Sequence, residues 1–135
     1  MNEKKLKHLE FIQNVVTRMA GNLFYLRGWV ITLIAGMLAI FFGIGSSKLP
    51  IIFLILFTVI FWLYDGYFLS LERMYRDLYD KVRLLKEEEI DFSMNINEFK
   101  KYKKNSIVFC IFSKTLFFFY VPLLISAIYI LLTIK

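Results

Sequence analysis

Cysteine and histidine are almost missing from this 135-residue chain, which holds one of each, Cys110 and His8. A lone thiol excludes an intrachain disulfide and a two-cysteine metal pair, and Cys110, inside an apolar run, reads as a small core residue. The lone histidine sits in a lysine-rich helix with no Cys or carboxylate cluster beside it. It reads as a surface residue, and a metal site would need assembly across subunits. GxGxxG, a Walker lysine loop, GxSxG and Cys-x-x-Cys are also missing, and no serine has a partner histidine. These gaps point to a non-enzyme with no cofactor and no metal.

Long apolar runs are what the chain does have. Gly28 to Ser46, Ile51 to Leu71 and Ile107 to Ile134 each reach the roughly 20 residues of a bilayer-spanning helix. Hydrophobic residues make up 59% and aromatics 19%, and mean hydropathy is +0.60, whereas a soluble domain is about 45–50% apolar. About half the chain is consumed, so no catalytic domain of about 100 residues fits in the remainder. The first apolar run begins only after residue 27 and is too long for a cleaved leader, so no secretory signal peptide is expected. The reading is an all-α integral membrane protein forming one membrane domain. It divides into a cytoplasmic amphipathic helix (1–27), a first span (28–47), a second span (51–71), a cytoplasmic helical stalk and connector extending it (72–104), and a third span (106–134).

The net charge of +6 is distributed unevenly. Lys4, Lys5, Lys7, Arg18 and Arg27 precede the first span, Lys48 alone lies in the first loop, and Lys135 alone follows the third span. Between the second and third spans come Arg73, Arg76, Lys81, Arg83, Lys86, Lys100, Lys101, Lys103 and Lys104. Cytoplasmic loops carry the Lys/Arg excess, which places the N-terminus and residues 72–104 inside and the C-terminus outside. The Lys100-Lys101-Tyr102-Lys103-Lys104 run is thereby read as a positive-inside anchor, and no nucleic acid partner is expected.

Two helical seams flank the membrane. Leu9, Ile12, Val16, Met19, Leu23 and Leu26 recur at three- and four-residue steps, as do Leu71, Tyr75, Leu78, Val82 and Leu85 in the stalk. Either seam can pack within its own chain or between copies, and the N-terminal helix can also lie at the headgroups. In the stalk, Glu72/Arg76, Arg73/Asp77, Arg76/Asp80 and Asp77/Lys81 stand at the four-residue spacing of a solvated helix face. The helix is expected to run to about Glu88, with Gly66 its only plausible bend. Trp29 sits where an interfacial aromatic belt lies. Ala35, Ala39, Gly43 and Ser47 recur every fourth residue, a groove for close helix contact, either with the second span across the Ser46–Pro50 turn or with another subunit.

Asp65 and Lys114 lie inside the apolar runs. Asp65 is seven residues before Glu72, about 10 Å from the cytoplasmic end, and Lys114 is about 10–14 Å from the start of the third span. Their depths match, and an isolated charge there costs several kcal/mol. The two are expected to pair directly or to line a shared hydrated cavity, as a structural pair or as part of an ion gate.

The order of basic helix, two-span hairpin and charged amphipathic helix over residues 1 to 90 resembles the SLATT domains of bacterial conflict systems. Asn22…Arg27-Gly28-Trp29, Trp62-x-x-Asp65-x-Tyr67, Glu72-Arg73-x-x-Arg76-x-x-Tyr79-Asp80, Asp91-Phe92-Ser93-Met94 and Ser113-Lys114-Thr115 look like words found in small membrane proteins of defence loci. The third span departs from the two-span pattern, and with no fused sensor the activating signal is expected from a separate cytoplasmic protein. The resemblance implies a homo-oligomeric effector of the bacterial inner membrane that, when triggered, forms a pore or disrupts the bilayer in anti-phage defence. It carries over no residue role. The alternative is a non-conducting anchor or scaffold for a cytoplasmic partner.

Overall fold

The computed structural model describes residues 2–43 and 47–134. Ser46 of the expected turn and Lys135 lie outside the described residues. Two long antiparallel helices, α1 (Glu3–Gly43) and α2 (Leu49–Leu84), form the frame. Three short 3-10 turns, Glu87–Glu89, Asn97–Lys101 and Lys103–Asn105, lead to a one-turn helix α3 (Ile107–Ile111) and then to α4 (Lys114–Thr133). Three of the helices, α1, α2 and α4, are long and apolar enough to cross a membrane.

α1 runs unbroken through the boundary expected near residue 27. No proline interrupts it, and Gly21, Gly28 and Gly36 are tolerated singly at about 1 kcal/mol each. α2 begins where Pro50 stands in its first turn, a position at which the missing N–H costs nothing. It ends at Leu84, a few residues short of the expected Glu88, where Leu85 turns extended. The Lys5 ammonium donates to the carbonyls of Arg83 and Leu85, at 3.2 and 2.7 Å, so a cation satisfies the exposed end of the helix dipole.

The two seams pack against each other within one chain. Leu9 and Ile12 of α1 meet Met74, Leu78 and Val82 of α2, with Leu71, Tyr75 and Leu85 at the edge. Val16 and Leu23 are buried and Met19 half-buried further along α1. The connector closes this core instead of merely returning to the apolar region, since Ile90, Ile96 and Phe99 are buried in it.

Gly66 is not a bend, because α2 passes through it as regular helix. It is a point of close approach: a Cβ there would lie 2.5 Å from Ile111 Cγ1 and 3.4 Å from the Ile111 backbone. The third apolar run is broken, in contrast to the single span expected over 106–134. Phe112 leaves the helix and Ser113 is extended, so α4 starts only at Lys114. The small-residue stripe is likewise not the contact between α1 and α2. Ala35, Ala39 and Gly43 are exposed and Ser47 is half-buried; the larger Val30 and Phe41 are buried in their place.

Candidate functional site: a buried charge cluster between three helices

Asp65 is fully buried, at 0% exposure, and its partner is Arg27, not Lys114. Arg27 Nε donates to Asp65 Oδ2 at 3.0 Å and Nη2 to Oδ1 at 3.2 Å, a fork that matches guanidinium to carboxylate geometry. The Tyr120 hydroxyl adds a third donor to Oδ2 at 2.9 Å. One carboxylate therefore ties α1, α2 and α4 together. A buried ion is tolerated when geometry and further hydrogen bonds satisfy it, and removal of one partner typically costs about 3–5 kcal/mol.

The hairpin explains the pairing. Arg27 is 16 residues from Gly43 (43 − 27) and Asp65 is 16 residues from Leu49 (65 − 49), so both stand about 24 Å from the turn. Lys114 misses the cluster because the chain break resets the count: it is the first residue of α4, exposed, and makes no ion pair among the described residues.

Aromatic packing holds the cluster in place. The Tyr120 ring stacks on Trp62 with centroids 5.8 Å apart and planes 8° apart. Trp62 Nε1 donates to the Ile111 carbonyl at 2.8 Å, occupying an acceptor at the break between α3 and α4. Val30, Leu116 and Tyr120 form the surrounding core, with Ile34 and Leu123 against it. Trp29, two residues beyond Arg27 on α1, is exposed.

A second polar cluster clamps the connector to α2. Arg73 donates to the Lys104 carbonyl at 2.7 Å, and Ser70 donates to the Asn105 carbonyl. Asp77 accepts from Lys104 Nζ and Asn105 Nδ2, both at 2.7 Å. The helix pairs expected at four-residue spacing are accordingly redistributed. Glu72–Arg76 forms at 2.8 Å, but Arg73 and Asp77 serve the connector, Lys81 reaches Glu98 at 2.6 Å, and Asp80 pairs with Arg83 at 3.6 Å. Ser70, Arg73 and Asp77 follow i, i+3, i+7 spacing, one helix face, which was the available sequence signal for this clamp.

His8 is buried at 4% exposure, not on the surface, and its Nε2 has no hydrogen-bond partner. Cys110 is buried with 0% exposure, its thiol 3.6 Å from Arg73 Nη1 and from the Lys104 carbonyl. Among the described residues no three His, Cys, Asp or Glu side chains converge as a metal set. The chemistry open to the Arg27–Asp65–Tyr120 cluster is charge pairing and a switch of hydrogen-bond partners at a three-helix junction. No family model, no curated protein and no solved structure matches this chain.

Proposed function

We propose that the chain is a multi-pass protein of the bacterial inner membrane, with its N-terminus and residues 72–104 cytoplasmic, that self-assembles and opens or breaks the bilayer barrier when triggered. Two features support placement in a membrane. Only 11%, 33% and 17% of the most apolar windows of α1, α2 and α4 are buried, so most of that surface needs lipid, and the Lys/Arg excess gives the orientation. The observation that carries self-assembly is the exposure of Ala35, Ala39 and Gly43 on one face of α1. Small residues at four-residue spacing let helix backbones approach closely in lipid. In the resting form the cluster around Asp65 is closed within one chain. Triggering is a rearrangement of α1 against α2 and α4 that exposes it at the assembly axis, with a separate cytoplasmic protein supplying the signal and anti-phage defence as the setting suggested by the SLATT-like architecture.

A non-conducting anchor is the second reading, favoured by the occupied seams: Leu78 and Val82 already pack on Leu9 and Ile12, so the stalk does not require other copies. Dye influx and membrane potential in cells expressing the chain, with and without its genomic neighbours and phage challenge, separate the two. Triggered permeabilisation together with a multi-copy particle in mass photometry supports the effector; an intact membrane under every condition leaves the anchor.

A further inference from the structure

A cleft of about 920 Å³ lies between the first turns of α1 and the loop around residue 92, lined by Lys4, Lys7, His8, Phe11, Arg18 and Phe92 among others. That volume falls within the roughly 300–1,000 Å³ of small-molecule sites. Three cations and no carboxylate stand in its lining, and among the described residues none of the three is in an ion pair. Two aromatic side chains, Phe11 and Phe92, line the same cleft and stay 57% and 48% exposed.

Two independent observations mark the cleft as built. His8 in its lining is nine-tenths buried with an unpartnered Nε2, and a buried polar atom without a partner ordinarily has a reason. Phe92 is the single non-glycine residue at positive φ among the described residues, 58°. Such a conformation costs on the order of 1–3 kcal/mol and persists where the surroundings enforce it. Here it sets the Phe92 ring edge-on against His8, centroids 5.5 Å apart.

We propose that this cleft binds an organic phosphate with a flat or apolar body. Lys4 and Lys7, one helical turn apart on α1, take the phosphate, Phe11 and Phe92 take the body, and His8 Nε2 makes the orienting hydrogen bond. Under the proposed topology His8 lies 19 residues below Arg27 (27 − 8), about 28 Å along the helix, beyond a headgroup layer of about 6–7 Å. The source is therefore a soluble molecule, not a lipid.

Because His8 is the only histidine, isotope-labelled histidine reports on the cleft directly in the full chain held in phosphatidylcholine nanodiscs. Titration with phenyl phosphate should shift the His8 ring nitrogens saturably. Lys4→Ala and Lys7→Ala should each weaken binding about tenfold, the effect of one lost charge-assisted hydrogen bond. Phe92→Gly, which accepts the positive φ without strain, should bring the affinity for phenyl phosphate down to that for inorganic phosphate. No saturable shift, or equal shifts with phenyl and inorganic phosphate in the unmodified chain that vanish at 0.5 M salt, overturns the site. A shift on changing to phosphatidylglycerol nanodiscs without added phenyl phosphate assigns the phosphate to lipid and overturns the soluble source.

Discussion

The Trp62 indole N–H bonds the Ile111 carbonyl at 2.8 Å, at the break between α3 and α4 within the third apolar run. Backbone freed from a helix is tolerated in apolar surroundings only when protein satisfies it. Trp62→Phe keeps an aromatic ring on Tyr120 but removes that donor, and should destabilise the fold by about 1–3 kcal/mol. Reversible SDS unfolding measures it, and an unchanged midpoint would show that the break needs no such support.

Asp65 should tolerate loss of its partner poorly. Arg27→Met and Asp65→Leu are each expected to cost about 3–5 kcal/mol, while the double variant recovers most of the loss because no charge is left unpaired. Lys114→Met should move stability by less than about 0.5 kcal/mol, as an exposed residue with no ion pair does. A thermodynamic cycle on unfolding midpoints tests the pair; additivity of the two single changes would refute it.

Gly66→Ala should loosen α3 from α2. The new methyl meets Ile111 at 2.5 Å, and overpacking of this kind costs about 1–3 kcal/mol. Gly28→Ala, where nothing stands within 4 Å of the added atom, should be neutral or slightly stabilising through helix propensity. Hydrogen exchange at residues 107–113 distinguishes the two, with faster exchange expected for Gly66→Ala alone.

Burial holds the His8 imidazole below its ordinary value of 6.5, with Asp91 opposing in part. The folded state thus favours the neutral ring, and the unfolded chain takes up a proton first as pH falls. The contribution to stability is complete above about pH 6.5 and is lost progressively below it. Melting temperature should drop between pH 7 and 5.5 in the unmodified chain, and His8→Phe should flatten that slope. Equal slopes in both would assign it elsewhere.

Both seams were legible because burial selects three- and four-residue spacing, and Leu9, Ile12, Leu78 and Val82 obey it. The three apolar helices were legible from hydropathy alone. The partner of Asp65 was readable only by counting from the shared turn, since Arg27 looks like a flanking charge when the span is assumed to begin after it. The break at Phe112 and Ser113 carries neither proline nor glycine, and its cause is tertiary: the Gly66 notch and the Trp62 donor make that carbonyl inexpensive to release from a helix. The outward direction of Ala35 and Ala39 was hidden for a related reason, since small residues mark a close contact without saying with whom.

α1 is a single helix of 41 residues and α2 one of 36, rods of about 62 and 54 Å, and each passes from the charged end of the molecule into its apolar end with no joint between. A loop absorbs motion locally, whereas a continuous helix transmits torque along its length. A twist applied near Lys5 therefore arrives at Arg27 as a rotation of the guanidinium about the axis of α1, and the molecule behaves as a pair of crankshafts whose shared pin is Asp65.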